Sequence, residues 1–157
     1  HLLRMGHRHI AFIGGSARSG SRAQRLGGFT SKLLEYGVTP NPQWIVTAQA
    51  SQSDGARVAQ ALLAHHPQIT AAVCYQDIVA LGVMQSLRQL GREPGSDFAL
   101  VGFDDITEAG LVQPALTTVS VAAKEIGRKA GELLFSRIQG NVVPPQGFFL
   151  PPTLIVR

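Results

Sequence analysis

Two periodicities alternate along the chain. Four short runs, 9–14, 44–47, 71–75 and 98–103, are almost continuously apolar and rich in β-branched or aromatic residues, which predicts buried strands. Between them the apolar positions recur every three or four residues, the spacing of a helix face. One such segment carries Leu26, Phe29, Leu33 and Leu34 and ends at Gly37; a second carries Val58, Ala59, Leu62 and Leu63 and ends before Pro67. A third, with Ala80, Val83, Met84, Leu87 and Leu90, is stopped by Gly91 and entered through Asp77 as its N-cap. Strands that are apolar on both sides, separated by helices, predict a parallel sheet covered on both faces. The expected class is therefore α/β, a doubly wound three-layer αβα arrangement.

The two ends of the chain fit that layer less well. Residues 1–6, His-Leu-Leu-Arg-Met-Gly, read as the last turn of a helix stopped by Gly6. Near the other end, Ile126, Ala130, Leu133, Leu134 and Ile138 form an apolar stripe on a helix expected over 122–139, after the sheet is already complete. The stripe calls for a partner, and the expectation is a segment of a longer polypeptide whose last helix belongs with a neighbouring lobe.

Composition narrows the class without changing it. With 45% apolar and 15% charged residues, the 157-residue chain can bury one sizeable core. It holds no apolar run near the roughly 20 residues needed to span a bilayer, and its start lacks a signal-peptide core, so no membrane partner is expected. One cysteine, Cys74, excludes an internal disulfide and suits a reducing, cytoplasmic compartment. The net charge of +4 is scattered, with no dense Lys/Arg block to suggest that this segment itself contacts nucleic acid.

Candidate chemistry gathers where the predicted strands end, which is where open parallel sheets bind ligands. Gly14-Gly15-Ser16 and a serine-rich turn lead to Arg22 and Arg25; Gln76-Asp77 follows the third run; Asp104-Asp105 follows the fourth. A guanidinium, a carboxamide and a carboxylate together suit adjacent hydroxyls of a small polyol. On this reading Asp104 faces a ligand and Asp105 caps or hydrogen-bonds the next turn. Both aspartates serve equally well as turn formers, and an arginine on a helix is ordinarily solvated. Gly14-Gly15 is part of neither a GxGxxG fingerprint nor a P-loop, and no GxSxG elbow is present. Cys74 lies in an apolar run and reads as core; His7 with His9, and His65 with His66, lack partners at metal-ligand spacing. No catalytic residue, metal or cofactor is expected.

Five motifs occur in order: 6–15 (GHRHIAFIGG), 25–29 (RLGGF), 76–82 (QDIVALG), 101–106 (VGFDDI) and 114–119 (PALTTV). Together they resemble the effector-binding domain of the lactose-repressor family of bacterial transcription regulators. Residues 21–29, Trp44, Ser51-Gln52 and 73–75 are most similar to its maltose-regulon branch. The resemblance implies a periplasmic-binding-protein-like C-terminal lobe over 1–121, in which 1–6 is the tail of a crossing helix. It implies a crossing helix segment over 122–147 and a strand over 148–157 that returns to the lobe. By resemblance, Arg25 clamps the effector, Gln76 stands where an Asn is usual, Asp104 takes ligand hydroxyls, and Ser19 and Ser21 approach the ligand. By the same resemblance Leu81 and Val112 fall on the family's dimer surface; the alternative for Leu81 is that it simply faces the core. Ala50 replaces an aromatic wall, and Val121 and Ala123 replace polar and aromatic groups, so the effector is not specified. The implied function is a cytoplasmic repressor, not an enzyme: a homodimer in which a small-molecule effector, a sugar, controls operator DNA binding by a helix-turn-helix outside this chain. The alternatives are a periplasmic sugar-binding protein and, less favoured, a nucleotide-sugar or NAD enzyme.

Overall fold

The computed structural model describes residues 1–140, 144 and 146–157. The four apolar runs each contain a strand: β1 Ile10–Ile13, β2 Ile45–Val46, β3 Ala71–Cys74 and β4 Ala99–Val101. They form one parallel sheet in the order β2-β1-β3-β4, with Ile10 opposite Ala71, Ile13 opposite Cys74 and Val73 opposite Val101. From β1 the chain first winds outward to β2, then returns across β1 to β3 and β4. The strand order therefore reverses between β1 and β3, and the crevice at their carboxyl ends is where such sheets place ligands.

The helices between the strands are α1 Gly20–Glu35, α2 Gln52–His65, α3 Asp77–Gln89 and the short α4 Thr107–Leu111. Alternation along β1 divides the core. Ala11 and Ile13 face α2 and α3 and join Val58, Ala59, Leu62, Leu63, Val79, Val83 and Leu87. Ile10 and Phe12 lie on the other face, toward Leu2, Leu3, Phe29 and Leu33. Helices α2 and α3 approach closely because glycines meet there. A methyl on Gly82 would overlap the Gln52 carbonyl oxygen and come within 2.8 Å of Ala56 N.

Several local expectations are corrected. Trp44 belongs to a 3-10 turn, Pro42–Trp44, which begins where Asn41 Oδ1 accepts from Gln43 N at 2.9 Å; β2 starts after it. Asp77 is the first residue inside α3 rather than its cap, and Gln76 holds the cap position without a side-chain capping bond. Leu34 is 61% exposed: α1 seats Leu33 against the sheet, and its next residue turns away from it. Leu90 caps α3 and is also exposed.

Beyond β4 the chain forms β5 Thr118–Ser120, α5 Ala123–Ile138 and β6 Thr153–Ile155. Strands β5 and β6 pair antiparallel, with Val119 opposite Leu154, and the bridge between Val101 and Thr117 sets this ribbon beside the sheet edge. None of the residues of α5 is buried; Ile126, Leu134 and Ile138 of the expected stripe face solvent, Ile138 at 72% exposure. Within the segment expected over 122–147, residues 141–143 and 145 lie outside the described residues.

Candidate functional site

At the end of β1 the backbone turns through two glycines with positive φ, Gly14 at 110° and Gly15 at 73°. Their lack of Cβ serves packing. A methyl on Gly14 would lie 3.1 Å from Tyr75 Cβ, and one on Gly15 would lie 2.9 Å from Arg22 Cδ and 3.0 Å from Tyr75 Cγ. Arg22, which the sequence sets beside Arg25 as a ligand group, is buried instead. Its Nε donates to Gly14 O at 2.9 Å and its guanidinium lies 5.6 Å from the Phe12 ring centroid, so it pins the turn to α1.

Helix α1 begins at Ser19, whose Oγ accepts from Arg22 N at 3.3 Å. One turn further, Arg25 reaches over the strand ends. Its guanidinium carbon lies 3.5 Å from the Phe103 ring centroid and 4.4 Å from that of Tyr75. Nη1 donates to Tyr75 O, and Nη2 stands 3.9 Å from Asp104 Oδ1. An arginine held by two rings and a carbonyl is positioned, not freely solvated.

The double aspartate at the end of β4 takes two left-handed conformations, φ 114° at Asp104 and 56° at Asp105. Such conformations cost about 1–3 kcal/mol each and persist where the surroundings dictate them. Here Asp104 N donates to Val119 O at 2.9 Å, and Ile106 N donates to Asp77 Oδ2 at 3.0 Å. Asp77 Oδ1 accepts from Thr118 Oγ1, and Asp77 N donates to Phe103 O at 2.8 Å. Asp105 does not cap α4, whose cap residue is Ile106. Its Oδ1 accepts from Arg157 Nη2 at 2.7 Å, while Arg157 Nη1 donates to Leu116 O at 2.9 Å. The two carboxylates thus divide their work: Asp105 locks the turn to the β5–β6 ribbon, and Asp104 is left facing Arg25.

Burial pushes the Asp104 carboxyl pKa up, against the pull of Arg25 and of a hydrogen bond from Gln76. The Tyr75 phenol is held below its usual value by hydrogen bonds with Ser19 and Ser21. Arg25, Gln76 and Asp104 therefore converge at the carboxyl ends of the strands. Ser19 and Ser21 stand beside them, with their hydroxyls turned to Tyr75: Ser21 Oγ lies 2.7 Å and Ser19 Oγ 3.4 Å from the phenol oxygen. Tyr75 is the residue that sequence reasoning missed. The available signal was an aromatic at a strand end opposite two glycines.

Beside these groups opens a cleft of about 600 Å³, lined by Ser16, Ser19, Gln49, Ala50, Tyr75 and Gln76 among others but by neither Arg25 nor Asp104, a size suited to a small organic ligand. On the α1 face of the sheet lies a smaller groove of about 310 Å³, lined mainly by Leu2, Phe12, Phe29, Val73 and Phe103; Arg25 and Tyr75 border it. Of the three converging groups, Gln76 lines the larger cleft and Arg25 the groove, and Tyr75 borders both, so the polar groups stand between the two openings. Ala50 is exposed at its rim, without an aromatic wall at that position. Away from the cleft, Leu81 is packed in the α2–α3 core at 6% exposure, while Val112 is only partly covered. Cys74 is buried, which pushes its thiol pKa up and leaves it a packing residue.

The family described as periplasmic binding protein-like domain matches residues 1–157. The maltose regulon regulatory protein MalI of Escherichia coli is 32% identical over 99% of this chain and 48% of its own length. A transcriptional regulator CelR in complex with cellobiose superposes with a TM-score of 0.90 at 31% identity, covering 99% of this chain and 48% of that one. A LacI family transcriptional regulator from Enterococcus faecium with bound ribose superposes with a TM-score of 0.91 at 28% identity, covering 100% and 58%. The chain spans about half the length of the curated relatives it matches. Its end-to-end match, its parallel sheet and these relatives agree: the chain belongs to the periplasmic binding protein-like domain family, in the form carried by LacI-family regulators.

Proposed function

We propose that this chain is the effector-binding part of a bacterial transcriptional regulator acting as a repressor, and that its effector is a small carbohydrate. The observation that carries this reading is the convergence of Arg25, Gln76 and Asp104 at the strand-order reversal, inside a chain related to regulators of which one is bound to cellobiose and another to ribose. Asp104 accepts hydroxyl protons, Arg25 donates from a fork held by Tyr75 and Phe103, and Gln76 does either. Fixed groups of both kinds suit a polyol, whose adjacent hydroxyls each donate and accept.

In the same proposal, residues 1–121 form one lobe, the segment 122–147 crosses to a second lobe that covers the exposed stripe of α5, and 148–157 returns. The effector lies between the lobes, operator DNA is bound by a helix-turn-helix elsewhere in a cytoplasmic homodimer, and Val112 lies toward the dimer surface. Effector binding regulates DNA affinity only through its differential affinity for two lobe arrangements.

Calorimetric titration of the full-length protein with maltose, cellobiose and ribose tests the site. Arg25→Ala and Asp104→Asn each remove a charge-assisted hydrogen bond worth about 1.5–3 kcal/mol, so affinity for a bound sugar drops about 10- to 100-fold. Unchanged affinity in both variants would place the sugar elsewhere.

A further inference from the structure

Three hydroxyls meet at the mouth of the cleft. Ser19 Oγ and Ser21 Oγ are 3.0 Å apart, Ser21 Oγ and Tyr75 Oη 2.7 Å, and Ser19 Oγ and Tyr75 Oη 3.4 Å. Their hydrogen-bonding capacity can be counted. Each hydroxyl brings one donor and two acceptor sites. A closed ring of three bonds uses all three protons and one acceptor site on each oxygen. The Arg22 N–H takes a second site on Ser19. What remains is acceptor capacity on Tyr75 and on Ser21, beside a carboxylate that also accepts.

The ring cannot drift from this place. Its base packs against Gly14 and Gly15, both too close to admit a Cβ without a shift, and the Arg25 guanidinium lies 4.4 Å from its centroid. The Tyr75 carbonyl also accepts from Arg25 Nη1. One residue thus has its ring and carbonyl committed to aiming Arg25 and its hydroxyl committed to the cleft, on whose wall it lies with Ser19.

We propose that the Tyr75 phenol, held by Ser19 and Ser21, is a specificity-determining group of the cleft that selects ligands bringing a hydroxyl donor to its side while other hydroxyls meet Asp104 and Arg25. Because Ala50 lines the cleft with only a methyl group, discrimination here comes from hydroxyl placement and not from stacking on an aromatic wall at that position. This inference rests on the carbohydrate reading above and deepens it.

The test compares wild-type full-length protein with Tyr75→Phe and Ser21→Ala, titrated with maltose, cellobiose and ribose and with monodeoxy derivatives of whichever sugar binds. Phe keeps the ring beneath Arg25 and the backbone carbonyl, so only the hydroxyl is removed. The expected result is about tenfold weaker binding of the parent sugar to Tyr75→Phe, the size of one lost hydrogen bond near 1.4 kcal/mol, with a smaller loss in Ser21→Ala. For one deoxy derivative the wild type and Tyr75→Phe bind equally, which identifies the hydroxyl that Tyr75 reads. If the triad only braces α1, both variants lower the melting temperature but bind every parent and deoxy sugar in the wild-type ratio, and the inference is overturned while the carbohydrate reading stands. If the wild type binds none of the sugars, the carbohydrate reading fails and this inference falls with it.

Discussion

Asp77→Asn tests the lock that aims Asp104. The side chain is fully buried; it accepts from Thr118 Oγ1 and, at 3.0 Å, from Ile106 N, which immediately follows the double aspartate. An amide of the same shape has one accepting atom where the carboxylate had two. If its oxygen keeps the Ile106 N–H, its NH₂ faces Thr118, whose hydroxyl must rotate to accept and leaves its own proton unpaired in a dry site. Water cannot relieve this easily, because Gly102 packs so closely on Asp77 Oδ1 that a methyl there would overlap it. Loss of one charge-assisted bond costs about 1.5–3 kcal/mol, and an orphaned buried proton about 1–3 kcal/mol. The sum is roughly 2.5–6 kcal/mol, which for a domain of this size lowers the melting temperature by roughly 5–20 °C. Urea denaturation followed through Trp44, the chain's only tryptophan, measures the cost directly. The turn is also freed, so sugar affinity drops at least as far as stability at temperatures where the variant is folded. A variant with the wild-type midpoint and wild-type sugar affinity would refute the argument that Asp77 holds the turn.

Protonation of Asp104 removes an acceptor from the proposed sugar site. Because burial raises its folded pKa above the ordinary carboxylate value, its contribution to folding is fully present below the unfolded pKa and is lost as pH rises through the raised folded value. Sugar affinity runs the opposite way, weakening as pH falls, with a midpoint above the ordinary carboxylate value that moves higher still in Arg25→Ala; calorimetry across the acidic range reads both, and a flat profile contradicts the role. Gly82→Ala gains about 1 kcal/mol of helix propensity but forces α2 and α3 apart at the Gln52 carbonyl. With overpacking costing about 1–3 kcal/mol or more against backbone, the variant is less stable in urea, whereas a stabilised variant would show that the helices separate freely.

The layer order was legible because its signal is local: apolar runs for strands and three- to four-residue spacing for helices, with Val58, Ala59, Leu62 and Leu63 all buried as their spacing requires. What escaped depends on distant partners. Asp77 has the local look of a cap, yet its acceptors are used by Ile106, 29 residues on, and Thr118, 41 residues on. Asp105 reads as a turn residue, but its partner Arg157 is 52 residues away. Arg22 and Arg25 are indistinguishable by type and lie one turn apart; only the Gly14 carbonyl draws one into the core. Strand β5 is too short to show a period and exists through its pairing with β6 and the edge of β4. Tyr75 was hidden by its place at the end of an apolar run, where aromatics usually signify packing. The convergence of Arg25, Gln76 and Asp104 was legible since strand ends in a parallel sheet share one edge.

The most direct test of the central claim is fluorescence anisotropy of full-length protein on DNA from upstream of its own gene, at fixed stated salt, with and without maltose, cellobiose and ribose. The account predicts specific binding that one of these sugars shifts at least tenfold, a coupling of about 1.4 kcal/mol, and that Asp104→Asn binds the same DNA but no longer responds. Sugar binding with no DNA affinity, or a sugar response that survives loss of Asp104, would contradict it.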